Sequence, residues 1–543
     1  MTPAHTQLRP RIFINLAIKR PAKMDSPKTL QGGFSSFPDE LILFVLDQLD
    51  ADDLTTFRAL NITSRRLHRL SLHRLYRRFP GYAPEPFLGT IALSEPDKCQ
   101  ELANSVKEVV WYQDYWKGPA RRRMLSLADR HVLANKLQAL GCILNTTDVS
   151  MNLPARFISF FSEYEMHWWY LEFFLFFTPK VERVYVEDVW QWDDHSYWFE
   201  TIAANPVHFG NLKSITLYGP LRLENIVPLL TLPSIRELVL VQCVVMRQEL
   251  GRHFSWTDGR DDYVGRRLAG GSSLEHLSLR ESHIIFPSVM ALLEKLDKLK
   301  SFTYDHFQND LSFPTYARSH AIASLASMRA RWTTSLERLR LHVERVHEVQ
   351  EIGWLLFYDS TPESRKPTFP KLRTLDIGPC SAETFLGFQL SPSDIRVKSI
   401  RLREEHVEHS VRAFPSTLEN LCIQWGQEID TPKNLLGHHM SQFLNYLRLF
   451  AEIATRLNYN LKRVAISDWP ALAGWFPFPE GVDSLKKAYG ELGMEFDVLY
   501  EEIVGQEPLV LRDDIEPDWL VVCKTTTFDY HAAALGDKDS RQG

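Results

Sequence analysis

A six-residue pattern, apolar-x-x-apolar-x-apolar, recurs along this chain and constrains its fold more than any other feature of the sequence. Its last three positions alternate with period two, which predicts a short β-strand with one buried face. Nine copies are clear: Leu212-Ile215-Leu217, Ile235-Leu238-Leu240, Leu274-Leu277-Leu279, Leu299-Phe302-Tyr304, Leu336-Leu339-Leu341, Leu372-Leu375-Ile377, Val397-Ile400-Leu402, Leu418-Leu421-Ile423 and Leu461-Val464-Ile466. Two weaker copies lie earlier, at Val106-Val109-Trp111 and Val181-Val184-Val186.

Apolar runs of helical length precede many of these copies. They span residues 173–177, 226–230, 289–296, 322–328 and 443–453. A strand with its return helix cannot bury its apolar face alone, so such units stack on their neighbours and form a solenoid. The copies begin roughly 20 to 45 residues apart, which makes the array irregular and predicts a polar insertion loop in residues 241–271. A doubly wound α/β domain would instead show longer apolar strands and Gly-rich turns, which this sequence lacks.

The segment 34–79, ahead of the repeats, is predicted to form three short helices. Pro38 suits the first turn of a helix, and Ser36 with Asp39 has the spacing of a capping box. One apolar stripe follows, formed by Leu41, Ile42, Val45, Leu46 and Leu49. Leu54, Phe57 and Leu60 begin the second helix, and the third is capped by Thr63-Ser64 and carries Leu72, Leu75, Tyr76 and Phe79 on one face. Helices this short bury only a thin core, so the segment should complete it against a partner or the next domain.

Three motifs give this segment a family resemblance. They are Phe37-Pro38-Asp39-Glu40-Leu41, Asp53-Leu54 and Thr63-Ser64-Arg65-Arg66-Leu67. The segment resembles the F-box, the module by which substrate receptors dock on the Skp-type adaptor of SCF ubiquitin ligases. The resemblance implies an apolar contact with that adaptor, centred on Phe37, Pro38, Leu41, Val45 and Leu54. The alternative is a generic amphipathic helical hairpin.

The irregular array resembles the divergent C-terminal halves of F-box/leucine-rich-repeat proteins. Together the two resemblances imply an α/β fold, with an N-terminal three-helix F-box followed by an irregular leucine-rich-repeat solenoid that has a curved parallel sheet. The predicted division is 1–33, a disordered basic tail; 34–80, the F-box; 81–480, the solenoid; 481–524, a C-terminal cap; and 525–543, a disordered tail. The cap rests on residues 481–502, which predict a helix, a stop at Gly493 and a short strand. For residues 1–33, the alternatives are a transit peptide or an upstream extension with Met24 as the working start.

Composition and charge exclude several classes of protein. The formal net charge of -6 argues against a dedicated nucleic-acid binder. The six cysteines form no C-x-x-C pair and no zinc-type spacing with histidine, which indicates reduced thiols in a cytoplasmic or nuclear protein, with no metal and no cofactor. The longest apolar run, residues 168–177, is interrupted by Glu172 and is far shorter than the roughly 20 residues of a membrane span.

Motifs of catalysis are absent from the sequence. It contains no phosphate-binding loop, no dinucleotide fingerprint, no H-E-x-x-H and no G-x-S-x-G, so no catalytic residue is predicted. The cluster of Trp190, Trp192, Asp193, Asp194 and His195 is interpreted as a surface or cap feature. The basic run from Arg65 to Arg78 is interpreted as the solvated side of the third helix, with nucleic-acid binding or nuclear import as the alternative.

The resemblances imply a substrate-recognition subunit of an SCF-type E3 ubiquitin ligase, which binds a Skp-type adaptor and, through it, a cullin. The unknown target protein would bind the exposed face of the repeats, in a column made of the residue between the second and third apolar positions: Thr216, Val239, Ser278, Thr303, Arg340, Asp376, Arg401, Cys422 and Ala465. Arg340 and Arg401 flank Asp376 there, which favours a partner with acidic groups, while the alternative is a cross-strand charge ladder. The alternative function is a repeat scaffold whose F-box serves another complex, and a hydrolase or transferase comes third.

Overall fold

A computed structural model describes the protein at residues 37–49, 54–81, 87–93, 96–112, 127–139, 166–187, 197–244, 272–282, 284, 289, 292–293, 295–306, 331–343, 369–380, 404–425, 433–467 and 479–499. The chain divides into two compact units, Met1–Leu75 and Tyr76–Gly543. The N-terminal tail, the cluster at residues 190–195, the C-terminal tail and residues 245–271 of the predicted insertion loop lie outside the described residues. The start of that loop was wrong, because residues 241–244 belong to a strand, Glu237–Val244, which buries Val241 and Cys243.

Three helices make up the first unit. They are α1 (Asp39–Asp47), α2 (Leu54–Thr63) and α3 (Arg65–Leu75). Ile42, Leu46, Phe57 and Leu67 form their buried core, and Leu49, Leu60, Leu70 and Leu75 pack around it. The helix positions follow the apolar spacing of the sequence.

The two predicted helix caps have different outcomes. Ser64 caps α3, because its Oγ accepts a hydrogen bond from the backbone N–H of Leu67 at 3.1 Å. The capping box at α1 was wrong, since Pro38 is the N-cap residue, and Ser36 itself lies outside the described residues. The carboxylate of Asp39, which the box required, is instead bound by arginines of α3.

The predicted extent of the third helix was also wrong. The helix ends at Leu75, and Phe79 lies in a strand, Arg78–Gly81. Pro80 explains the change, because proline has no N–H to donate within a helix and disfavours helical geometry in the residue before it. That strand is at the edge of a sheet, where a missing N–H is tolerated.

Twelve parallel strands form one open sheet in the second unit, and they follow each other in sequence order. They are β1 (Arg78–Gly81), β2 (Glu108–Tyr112), β3 (Arg183–Glu187), β4 (Ser214–Arg222), β5 (Glu237–Val244), β6 (His276–Ser282), β7 (Ser301–His306), β8 (Arg338–Val343), β9 (Thr374–Cys380), β10 (Asn420–Trp425), β11 (Arg463–Ser467) and β12 (Glu495–Leu499). A parallel sheet in which each strand pairs with the next along the chain is consistent with a repeat solenoid.

Helices connect these strands. They are α4 (Pro96–Ser105), α5 (Leu127–Ala139), α6 (Met166–Phe177), α7 (Tyr197–Ala204), α8 (Leu223–Leu230), α9 (Glu404–Ala413), α10 (Lys433–Arg456) and α11 (Pro479–Glu491), with a π-helix at Gly89–Leu93 and a 3₁₀ helix at Arg331–Thr334. The predicted helical runs at 173–177, 226–230 and 443–453 are confirmed by α6, α8 and α10. The run at 322–328 lies outside the described residues.

The repeat pattern predicts the strands well. Ten of the eleven copies, including the two weaker ones, coincide with β2 to β11. The second apolar position of each copy forms one buried row across the sheet, and its members are paired strand by strand: Val109, Val184, Ile215, Leu238, Leu277, Phe302, Leu339, Leu375, Leu421 and Val464. This row and the third apolar position face the core.

The copy at residues 397–402 was wrong as a strand of this sheet. Strand β9 pairs directly with β10, so no strand lies between them, and residues 397–402 themselves lie outside the described part. Helix α9 follows that segment and returns the chain to β10. A short apolar pattern specifies which side chains can share one face, but it does not specify which strands pair.

The predicted helix, glycine stop and strand near the C-terminus are confirmed. Helix α11 ends at Glu491, Gly493 has a φ of 74°, and β12 follows. Glycine suits this position because other residues are strained at positive φ. Strand β12 pairs with β11 in the same parallel register as the strands before it.

Two further expectations concern cysteines and membranes. Among the described residues, Cys243 and Cys422 are free thiols and both are buried. None of the helices in the described ranges has the length and the apolar character needed to cross a membrane.

Candidate functional site

Helix α1 carries two apolar stripes, where the sequence had been interpreted as carrying one. Ile42 and Leu46 are 1% and 3% exposed and belong to the core of the first unit. Leu41, Phe44 and Val45 are 51%, 63% and 43% exposed. Neighbouring residues of a helix point about 100° apart, so a helix whose one side is buried leaves the other apolar set in solvent.

The predicted adaptor-binding residues lie along this exposed side, as far as they are described. Phe37 is 44% exposed directly before α1, and Pro38 caps the helix and is also exposed. Leu54 is the first residue of α2, and its side chain lies outside the described part. The sequence reasoning missed Phe44, although its spacing from Leu41 is that of one helix face.

Arginines of α3 hold α1 in place from its other side. Arg66 Nε donates to Asp39 Oδ1 at 2.7 Å, and Arg69 Nη2 donates to Asp39 Oδ2 at 2.8 Å. Arg74 Nε donates to Asp47 Oδ1 at 3.1 Å at the other end of α1. The hydrogen bond from Arg66, together with the charges of Arg66 and Arg69, lowers the pKa of Asp39 despite the opposing effect of desolvation. These arginines of the basic run are therefore ion-paired with α1.

Arg66 also reaches the backbone at the start of α1. Its Nη2 donates to the carbonyl oxygen of Phe37, so one guanidinium fixes both the Phe37-Pro38 entry and the first turn of the helix. The exposed apolar side of α1 is thus presented on a helix that is anchored at both ends.

The second group of predicted residues lies on the sheet face opposite the core. Register places Arg340 of β8 beside Asp376 of β9, as the column predicted. The next position in that row is Cys422 of β10, so Arg401 does not flank Asp376 in the sheet. Arg401 itself lies outside the described residues, and its expected place depended on the strand at 397–402.

The column is accessible only in its middle. Thr216, Val239, Cys422 and Ala465 are buried, and Ser278 and Thr303 are half-buried. Arg340 has 40% of its side chain accessible. The accessible part of the column therefore lies around β6 to β9.

Four polar side chains meet there. His342 Nε2 lies 2.8 Å from Asp376 Oδ1, and its Nδ1 lies 3.8 Å from Asp305 Oδ1. Arg340 Nε lies 3.2 Å from Asp305 and 3.7 Å from Asp376. The guanidinium and the imidazole of β8 thus lie between two carboxylates, one on β7 and one on β9. We call Asp305, Arg340, His342 and Asp376 the charged cluster.

The charged cluster is largely paired within itself. Burial alone would raise the pKa of Asp376, but the charge and hydrogen bond of His342 and the charge of Arg340 outweigh it, so the pKa is lowered. Contacts of this kind are those that the charge-ladder alternative requires. The two carboxylates also reduce the positive charge that Arg340 was expected to offer to an acidic partner.

Comparison with known proteins adds little to this geometry. No protein-family model matches the sequence, and no curated protein matches it. Among solved structures, the crystal structure of a structural-genomics target from Bacteroides fragilis is similar, with 12% sequence identity and a TM-score of 0.29. The similarity covers 59% of this chain and 65% of that chain. A TM-score this low supports no argument about fold or function.

Within the described ranges, no group of three or more histidine, cysteine, aspartate or glutamate side chains is arranged to hold a metal ion. The two candidate sites are an apolar helix face in the first unit and a polar sheet face in the second.

Proposed function

We propose that this protein is the substrate-recognition subunit of an SCF-type E3 ubiquitin ligase. The first unit would be an F-box that binds a Skp-type adaptor, and the second would be an irregular leucine-rich-repeat solenoid that binds the target protein. The observation that carries the proposal is the exposed apolar stripe of Leu41, Phe44 and Val45 on a helix whose opposite side is buried.

Contact energetics support the adaptor-binding role. Burying one large apolar side chain contributes on the order of 1.5–3 kcal/mol, and a few such residues dominate a protein interface. Phe37, Leu41, Phe44 and Val45 offer that surface within nine residues of chain. Covering this stripe with a partner would remove apolar surface from water and lower the free energy. Soluble proteins keep contiguous apolar patches small unless a partner binds them.

In this role the chain performs no covalent chemistry. It would hold the target near the ubiquitin-loaded enzyme that the cullin complex carries, so that its contribution is proximity. The target would contact the second unit on the sheet face around the charged cluster, where accessible polar groups lie between buried ends of the column. A partner with both acidic and basic groups fits this cluster better than a purely acidic one.

Adaptor capture tests the first part of the proposal. Full-length protein with Phe37→Ala/Pro38→Ala, and separately Val45→Asp, is expected to lose at least about tenfold in affinity for a Skp-type adaptor, because each change removes apolar contact. Val132→Asp is the matched control, since Val132 is 44% exposed and Val45 is 43% exposed, but Val132 lies in the second unit. Undiminished binding in both variants, or equal loss in the control, would remove the proposed docking surface.

The alternative is a repeat scaffold whose F-box serves another complex. Both functions require the adaptor, so adaptor capture does not separate them. Co-precipitation of a cullin with the wild-type protein, lost in Val45→Asp, is expected for a ligase subunit. Adaptor capture without a cullin would favour the scaffold.

A further inference from the structure

Charged side chains form a row along the edge of the sheet where the strands begin. The row contains the residue that directly precedes each strand from β1 to β11: Arg77, Lys107, Glu182, Lys213, Arg236, Glu275, Lys300, Glu337, Arg373, Glu419 and Lys462. Their backbones are linked in sequence; for example, the carbonyl of Lys213 accepts hydrogen bonds from Arg236 N–H at 2.8 Å and Glu237 N–H at 3.0 Å. We call these residues the entry row.

Cations of the entry row mostly neighbour acids. Lys300 Nζ lies 2.6 Å from Glu275 Oε2, and Lys300 has Glu337 on its other side. Lys462 Nζ lies 2.8 Å from Glu419 Oε2. Such pairs compensate their charges within the row, so they offer little to a ligand.

Arg77 and Lys107 depart from this alternation, and so do Lys213 and Arg236, because each pair consists of direct neighbours with no acid between them. The second pair also has a common cavity. Their acidic partners lie on their outer sides: Lys213 Nζ is 3.1 Å from Glu182, and Arg236 Nε is 3.6 Å from Glu275. Both cations line one cavity of about 370 Å³, whose other described lining residues are Gly210, Pro233 and Ser234.

Backbone carbonyl groups fix the guanidinium of Arg236. Its Nη1 donates to the carbonyl oxygens of Pro233 at 2.9 Å and of Ser273 at 3.2 Å. Within the described residues its Nη2 has no hydrogen-bond partner, so one donor edge remains for a ligand. Like charges on neighbouring strands repel each other, and an anion between them relieves that repulsion through charge-assisted hydrogen bonds.

We propose that the cavity between the entries of β4 and β5 binds a phosphate or carboxylate group through Lys213 and Arg236. The site differs in position from the charged cluster and does not depend on the ubiquitin-ligase function. The group would come from a free anion or from a side chain of a bound peptide.

Isothermal titration calorimetry of the full-length protein, in a buffer free of phosphate, tests the proposal with three probes: inorganic phosphate, N-acetyl-phosphoserine amide and N-acetyl-glutamate amide. Wild type is expected to bind at least one probe saturably, and more weakly as salt rises. Lys213→Ala/Arg236→Ala should weaken it at least about tenfold, because both charge-assisted contacts are lost. Tighter binding of an amide than of phosphate assigns the site to a peptide side chain, and the reverse order assigns it to a free anion.

Lys300→Ala/Arg373→Ala is the matched control. It removes one lysine and one arginine from the same row, but each has an acid on both sides. Its binding should stay within about twofold of wild type. Lys213→Arg/Arg236→Lys keeps both charges and should retain most of the binding. Retained binding in this variant shows that the loss in Lys213→Ala/Arg236→Ala comes from the missing charges and not from misfolding. Absence of saturable binding in wild type, or equal loss in the control, would overturn the proposal.

Discussion

The two compact units differ in how many of their large apolar side chains are exposed to solvent. In the described residues, the first unit leaves five of them exposed, although it is much the smaller: Phe37, Leu41, Phe44, Val45 and Ile62. The second unit exposes two, Val132 and Val207. Stacked strand–helix units bury each face against the next unit, whereas three short helices have room for only one buried face each. On the proposed function, the exposed side of α1 is the surface that the adaptor would cover.

Charges show a parallel contrast. The first unit uses arginine–aspartate pairs that join two helices at both ends, as between Arg66 and Asp39 and between Arg74 and Asp47. In the described part of the second unit, the entry row pairs charges across neighbouring strands, as between Lys300 and Glu275. Pairing in rows leaves few uncompensated positions, and these few are where we expect ligands.

The largest expected effect is a difference in stability loss between two variants, each with one phenylalanine truncated, one in each unit. Phe302→Ala should lower the free energy of unfolding of the second unit by about 3–5 kcal/mol, because Phe302 is buried in the core row. Phe44→Ala should change stability by less than about 0.5 kcal/mol, because its side chain is largely in solvent. Hydrogen exchange of each unit measures both effects separately. Similar losses of protection for the two variants would end the contrast between a buried and an exposed apolar set.

A smaller effect is expected in the charged cluster. His342→Ala leaves the carboxylate of Asp376, which is 14% exposed, without its nearest partner and should cost about 1–3 kcal/mol. Arg340→Ala should cost less than about 1 kcal/mol, since Arg340 is 40% exposed and solvent replaces it. Urea unfolding followed by tryptophan fluorescence compares the two. If Arg340→Ala keeps stability but loses a target captured from lysate, the cluster is a binding surface; unchanged capture supports the charge ladder.

Binding by the first unit should depend on how its helix is anchored. Arg66→Ala removes the hydrogen bonds to Asp39 and to the Phe37 carbonyl, and should weaken adaptor binding about tenfold by loosening the entry of α1. Arg69→Ala is the matched control, because Arg69 binds the same carboxylate but does not contact Phe37. Its affinity should remain within about twofold of wild type. Equal affinities for the two variants would show that the anchoring of Phe37 is unimportant.

Acidification should have the smallest effect on stability, and it should destabilise the second unit at a higher pH than the first. Burial lowers the pKa of His208 and of His276 below the usual 6.5. The folded state therefore favours their neutral forms, and this stabilisation is complete above pH 6.5 and is lost as the pH falls through the lowered values. In the first unit the pKa of Asp39 is below the usual 3.8, so its contribution is lost only at more acidic pH.

Hydrogen exchange between pH 7.5 and 4.5 should therefore show lost protection in the second unit while the first is unchanged. His208→Gln/His276→Gln should flatten that dependence. An unchanged slope in this variant would assign the loss to other groups.

The apolar patterns of the sequence determined most of the local structure. Period-two alternation behind a leading apolar residue placed strands β2 to β11, apolar spacing placed α2, and the Ser64 cap with apolar spacing placed α3. Part of the candidate site was also predictable, since Phe37, Leu41 and Val45 were named from their motif and are exposed. These features depend on neighbouring residues alone, which is why a single sequence reveals them.

Other features depended on residues far apart in the chain. Only the tertiary structure decided that α1 buries Ile42 and Leu46 and leaves Leu41 and Phe44 in solvent, that Arg78–Gly81 joins the sheet, and that β9 pairs directly with β10. It also decided that Lys213 and Arg236 line one cavity. The physical reason is that spacing specifies which residues can share a face, whereas burial and pairing depend on which distant segment packs against that face.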